Sequence, residues 1–223
     1  MKKNLLYFVL AFYIIYLIII WLKVPDVNFY LKPLLIPSLI MFATTRSHFS
    51  GKGILVQALM LSTLGDVLLL FSDFNELFFI SGLICFLIAH LIYIRLFLKK
   101  LNSSFSYPWV FGSLALIGVY LFYFLSTMWG KLGTMKIPVT IYALVISTML
   151  FVVIQLFASK TLRKGEILLL GAFLFVVSDS LLAWNMFYQE IAHASFWVMS
   201  SYLFAQLFLV AGWVSSMKKR EID

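Results

Sequence analysis

The feature that most constrains this chain is a succession of apolar runs, each about 20 residues long, that fills nearly all of it. A helix of that length crosses the ~30 Å hydrocarbon core of a bilayer. Only a helix or a closed barrel can satisfy its own backbone there. Eight spans are predicted: Asn4–Leu22, Phe29–Thr45, Gly53–Phe71, Glu76–Leu98, Tyr107–Met128, Met135–Ala158, Gly165–Phe187 and Ser195–Met217. The expected fold class is all-α, a polytopic membrane protein with eight transmembrane helices in a single domain. A charged fraction of only 12% and a hydrophobic fraction of 63% exclude a water-exposed globule of this size, since soluble domains run at about 45–50% apolar.

The charge balance then speaks to orientation. The net charge of +8 could suggest nucleic acid, but the basic residues sit in loops beside the spans and form no separate basic domain. They read as topology signals and contacts with anionic membrane lipids. The N-terminus, the loops after spans two, four and six, and the C-terminus hold thirteen of the 17 Lys and Arg. The opposite side holds only Lys23, Lys32, Lys131 and Lys136. Both termini are therefore expected in the cytoplasm, in a plasma (inner) membrane. Met1–Trp21 starts like a signal peptide, but its apolar part is too long and no small-residue cleavage site precedes Lys23; it is read as a retained first span. In span two, Pro33 fits a first helical turn and Pro37 should loosen the helix. Cys85 lies mid-span, so neither a disulfide framework nor a thiolate metal motif is expected.

Two carboxylates break the apolar pattern. Asp66 lies in Gly65-Asp66-Val67-Leu68-Leu69 and Asp179 in Ser178-Asp179-Ser180-Leu181-Leu182. An Asp at the centre of a span costs roughly 2.5–3.5 kcal/mol of insertion free energy. Such residues normally face a protein interior or wet cavity and have partners. Counted from the span ends at Phe71 and Phe187, the two sit about 8 and 12 Å deep. Both lie nearer the less basic side. The surroundings repeat as well: Lys32-Pro33, Asp66 and His90 in spans two to four correspond to Lys136-Ile137-Pro138, Asp179 and Gln206 in spans six to eight. This suggests two parallel four-helix repeats, residues 1–106 and 107–223, related by a pseudo-twofold axis along the membrane normal. The implied picture is a funnel with Lys32 and Lys136 at its rim, the aspartates below, and His90 and Gln206 at its floor.

Each polar residue also has a plainer reading. Asp66 and Asp179 could be tied structurally to Ser62, Thr63, Ser178 or the lysines, but two intramembrane acids with a histidine favour a site. One neutral and one ionised carboxyl would supply an acid and a base together. His90 could equally be a core histidine bonded locally, with Tyr93 at i+3 as its partner. Gln206 and Tyr202 share a helix face and read as interhelical glue or as substrate contacts; Tyr142 and Asn185 are open in the same way. Lys32 and Lys136 are interface anchors or phosphate ligands. Asp73, Glu76, Glu190, His193 and His48 fall in loops and are expected to be solvated. No G-x-S-x-G elbow, H-E-x-x-H or P-loop occurs in the sequence, and a lone intramembrane histidine makes zinc a poor prospect.

Taken in order, several motifs resemble the YhhN family of polytopic membrane proteins. They are Lys32-Pro33-Leu34, Gly65-Asp66, Phe86 with Ala89-His90 and Tyr93, Gly171-Ala172 with Phe175 and Ser178-Asp179, and Tyr202 with Ala205-Gln206. The resemblance runs from Lys32 to span eight and implies eight spans and lysoplasmalogenase activity. It implies a lysophospholipid substrate whose vinyl ether bond is hydrolysed to a fatty aldehyde and a glycerophospho-ethanolamine or -choline. On that reading Asp66 and Asp179 are the acid–base pair, and His90 orients or recharges one of them. Lys32 and Lys136 hold the phosphodiester, with Tyr93, Tyr142, Tyr202 and Gln206 as further substrate contacts. Neither metal nor organic cofactor is needed, and nothing in the sequence specifies an oligomeric state. Two other functions fit the residues: a proton-coupled transporter, since repeats with midplane acids are a common carrier layout, and a lipid-binding scaffold without chemistry.

Overall fold

Among the described residues the apolar runs become eight helices, each long and apolar enough to cross a membrane. The computed structural model of the chain describes residues 2–46, 49–101 and 106–217. The helices are α1 (Lys2–Trp21), α2 (Val27–Thr44), α3 (Lys52–Leu69), α4 (Glu76–Leu98), α5 (Tyr107–Met128), α6 (Lys136–Ala158), α7 (Gly165–Ala183) and α8 (Ala194–Met217). His48 and the C-terminal Lys218, Lys219 and Arg220 lie outside the described residues. Because α2 begins at Val27, Pro33 sits inside it and not in its first turn, a correction to the sequence reading. The helix still continues through Pro33 and Pro37. Side-chain hydroxyls partner its backbone nearby, Tyr13 and Ser38 both donating to the Leu35 carbonyl at 3.2 and 2.6 Å.

Packing follows the small residues. Helices α3 and α4 pair closely, as do α7 and α8. Gly65 of α3 lies so near Phe86 of α4 that a Cβ there would fall 2.7 Å from the ring. Gly171 of α7 abuts the backbone of α8, where a Cβ would sit 2.7 Å from the Leu209 nitrogen, and Gly212 of α8 abuts Leu168 in return. Without a hydrophobic driving force between helices in lipid, such close approach supplies the dispersion contacts that hold them together. Among the described residues the other main neighbours are α2 on α3, α6 on α7, α1 on α2, α5 on α6, and, across the bundle, α6 on α4 and both α1 and α2 on α8. Within α1–α4 and within α5–α8, each helix packs on the next in sequence.

Two irregularities bear on the site. The expected end of span seven, at Phe187, is a π-helical turn over Trp184–Tyr188, closed by the Gln189 N–H donating to the Trp184 carbonyl at 3.0 Å. A π-turn widens the helix and re-aims the side chains on it; here it brings Phe187 against the site. The turn after it is held by Asn185, whose side chain accepts from the Ile191 N–H at 2.9 Å, so Asn185 is structural. His193 in the same turn stacks on Trp21 of α1 at 4.3 Å. That contact replaces the solvated role expected for it, whereas Asp73, Glu76 and Glu190 are exposed as expected.

Candidate active site

Both aspartates line one chamber enclosed by α2 to α8. Asp66 is only 3% exposed. It accepts a hydrogen bond from the Tyr202 hydroxyl of α8 at 2.8 Å, and the Lys32 ammonium of α2 lies 3.9 Å from its other oxygen. Asp179 accepts a hydrogen bond from the Tyr142 hydroxyl of α6. The ion pair at Asp66 has no counterpart at Asp179 among the described residues. The chamber is otherwise apolar, with Phe79, Leu83, Phe86, Phe124 and Phe187 among its walls. Two carboxyls on opposite helices, each held by a tyrosine and one beside a cation, thus face a common hollow. An ammonium therefore stands beside the Asp66 carboxyl, while Asp179 has a neutral tyrosine as its hydrogen-bond partner.

Lys136, paired with Lys32 in the sequence reading, is not brought to the chamber. Its ammonium sits 5.2 Å above the Trp129 ring, a cation–π contact at the start of α6. His90 is fully buried but touches neither aspartate. Its Nδ1 lies 2.7 Å from the Phe86 carbonyl, which requires the proton on that nitrogen, and Nε2 has no hydrogen-bond partner among the described residues. The ring packs edge-to-face on Phe175 at 4.5 Å and on Tyr142 at 5.6 Å, so it backs Tyr142 from outside the chamber. Tyr93 is not its partner.

Tyr93 instead donates to the Gln206 side-chain oxygen at 2.7 Å. The Gln206 amide donates to Ser62 Oγ at 3.0 Å and lies 3.5 Å from the Tyr202 hydroxyl. Gln206 and Tyr93 therefore form a buried network behind Tyr202 and fix its hydroxyl toward Asp66. Neither lines the hollow. Ser178, offered as a tie for Asp179, donates instead to the Val198 carbonyl at 3.1 Å. Sequence reasoning missed Tyr120 of α5 and Ser180 of α7, whose hydroxyls meet at 2.8 Å in the chamber wall. Tyr120 carried no distinguishing signal, since Tyr107 and Tyr123 lie on the same helix. No cluster of three His, Cys, Asp or Glu side chains placed to hold a metal occurs among the described residues.

Fold and site together define a polytopic helical membrane protein with a pair of acids shut inside its bundle. The YhhN family model matches residues 27–213. The chain belongs to the YhhN family. It is 30% identical over 180 residues to lysoplasmalogenase TMEM86B of Sus scrofa, covering 80% of this chain and 71% of that protein. The Homo sapiens protein of the same name is 33% identical over 153 residues, 68% of this chain and 59% of its own length. The Mus musculus protein is 32% identical over 162 residues, 72% of this chain and 63% of its own length. No solved structure matches the chain.

Proposed function

We propose that this protein is a membrane-embedded hydrolase that cleaves the vinyl ether bond of lysoplasmalogens, with Asp66 and Asp179 as its acid–base pair. Family membership and relatives named lysoplasmalogenase support the substrate class. The observation that carries the mechanism is the unequal pairing of two carboxyls across one hollow: Asp66 beside Lys32 and Tyr202, Asp179 beside Tyr142 alone.

Vinyl ether hydrolysis begins with a proton delivered to the β-carbon. Asp179, without a cation to hold it as an anion, is the donor; Tyr142 occupies one carboxyl oxygen and leaves the other for the proton. The oxocarbenium ion so formed is stabilised by the Asp66 carboxylate, which also takes a proton from the water that adds to the α-carbon. The hemiacetal collapses to aldehyde and free glycerol hydroxyl. A proton passes from Asp66 back to Asp179 through water, restoring both groups. Lys32, at the chamber's edge, sets its ammonium beside Asp66 and reaches toward the phosphodiester. His90, Tyr93 and Gln206 act from behind by fixing the tyrosines.

The test is aldehyde release from a lysoplasmalogen panel by purified protein in detergent. Asp66→Asn and Asp179→Asn should each abolish release without changing expression, and near-wild-type activity in both rejects the assignment. Proton-dependent uptake of a solute into proteoliposomes, with no aldehyde formed, would favour a carrier instead. The reading also places both termini in the cytoplasm of a plasma (inner) membrane. A reporter fused after Asp223 that is active only on the far side overturns that placement.

A further inference from the structure

The chamber offers about 90 Å³ of space, room for water and the reacting bond. It is well below the ~300 Å³ at which pockets begin to enclose even a drug-sized ligand. A lysolipid tail must therefore lie elsewhere. Beside the chamber, α5 and α7 stand apart over α6 and leave an apolar groove in two overlapping stretches of about 540 and about 400 Å³. Both stretches share Leu116, Leu150 and Phe173. On α5 the lining recurs at helical spacing from Trp109 through Gly112 and Leu116 to Tyr120; on α7 it passes from Leu169 through Phe173 and Val176 to Ser180. Leu116 is 67% exposed, so the groove opens on the lipid-facing side.

The groove and the chamber meet at one place. Tyr120 and Ser180 line both, and their mutual hydrogen bond forms the partition. From Tyr120 to Pro108 the groove follows twelve residues of α5, about 18 Å of helix. One lipid tail spans half of a hydrocarbon core of ~30 Å, so the groove matches a single tail in length as well as polarity. We infer that the hydrocarbon tail of the substrate lies in the α5–α7 groove, entering across the Tyr120–Ser180 partition, and that the groove selects substrates by tail length. This rests on the hydrolase reading, and it gives the tail a fixed seat within the protein rather than free bilayer.

Gly112 and Gly118 supply a matched pair of probes. A Cβ at either position meets nothing within 4 Å, but only Gly112 lines the groove. Gly112 lies eight residues from Tyr120, about 12 Å along α5, beyond the reach of a short tail. Two vinyl ether lysolipids, with eight-carbon and eighteen-carbon tails, are offered to wild type, Gly112→Phe and Gly118→Phe. Gly112→Phe should raise KM for the long tail roughly tenfold or more, the loss of burying two or more methylenes. It should leave the short substrate unchanged, and Gly118→Phe should change neither. A non-hydrolysable alkyl-ether lysolipid with a diazirine at its tail end should label α5 and α7 between Trp109 and Phe173, and Gly112→Phe should abolish that label. Equal effects of Gly112→Phe on both tail lengths, or label spread over the outer faces of the bundle as for ordinary bilayer lipid, overturn the groove. Label in the groove with no aldehyde from wild type on either substrate refutes the hydrolase and leaves the groove standing.

Discussion

Replacing Lys32 with methionine isolates the feature on which the division of labour depends. The substitution keeps the side chain's length and apolar stem but removes the ammonium 3.9 Å from Asp66. At that separation two unit charges interact by about 4 kcal/mol at an effective dielectric near 20. Stranding one partner of a buried pair costs about 3–5 kcal/mol, so the two routes to the magnitude agree. If Asp66 must be a carboxylate to stabilise the cation, a loss of about 3–4 kcal/mol corresponds to a fall in kcat/KM of roughly 10²–10³-fold. The assay is steady-state aldehyde release by Lys32→Met, Lys32→Arg, Lys136→Met and the double variant Lys32→Met/Asp66→Asn, with thermal unfolding in detergent alongside. Lys32→Arg should recover part of the activity. Lys136→Met, whose ammonium rests on Trp129, should stay within about twofold of wild type, as expected for a substitution away from the site. The double variant should unfold at a higher temperature than Lys32→Met alone, because it no longer buries a lone charge. Equal losses at Lys32 and Lys136, or stabilities that simply add in the double variant, would refute the reasoning.

The tyrosines offer a second test. Tyr202→Phe removes a hydrogen bond to a carboxylate, worth about 1.5–3 kcal/mol, and Tyr142→Phe one to a neutral carboxyl, worth about 0.5–1.5 kcal/mol. Activity should fall by about ten- to a hundredfold in the first and about two- to tenfold in the second while the protein stays folded, and wild-type rates in both sink that role. Gln206→Leu strands the Tyr93 hydroxyl and removes a donor from Ser62, which keeps its own bond to the Ala58 carbonyl, and a buried unsatisfied group costs about 1–3 kcal/mol. The variant should lose stability first, with activity following as Tyr202 is released; an unchanged melting temperature argues against that network. Gly171→Ala places a Cβ 2.7 Å from the Leu209 nitrogen and 3.0 Å from the Ala205 carbonyl oxygen. It must part α7 from α8 at about 1–3 kcal/mol, whereas Gly53→Ala, which meets nothing within 4 Å, should stay within about 0.5 kcal/mol of wild type by thermal unfolding.

Much of this architecture is written in insertion energetics. Span number and most boundaries follow from apolar length, and Asp66 and Asp179 stand out because charge in hydrocarbon is costly wherever it occurs. The sequence alignment of Lys32 with Lys136 was legible too, but their different fates were not. Which lysine reaches an acid depends on how α2 and α6 cross their neighbours, and Trp129 offers Lys136 a nearer seat. His90 is a related case, since a site role and a locally bonded core role fitted the sequence equally. Its Nδ1 is held by the carbonyl one turn back, at Phe86, an interaction with no signature in residue type. The Tyr93–Gln206–Ser62 network joins α4, α8 and α3 across separations of 113 and 144 residues, beyond what spacing on a single helix reveals. The π-turn after Ala183 and the Tyr120–Ser180 partition arise only once α5 and α7 are set over α6.

Tyr202, near the end of the chain, grips an acid from its first third, while Asp179 is gripped by a tyrosine of its own half. A chain cut between α4 and α5 would leave the later fragment with a complete Asp179–Tyr142 pair. The earlier fragment would keep Asp66 and Lys32 but lose the hydroxyl that holds the carboxylate. Neither piece carries a working centre alone, so co-expressed fragments should recover function only by finding each other in the same bilayer.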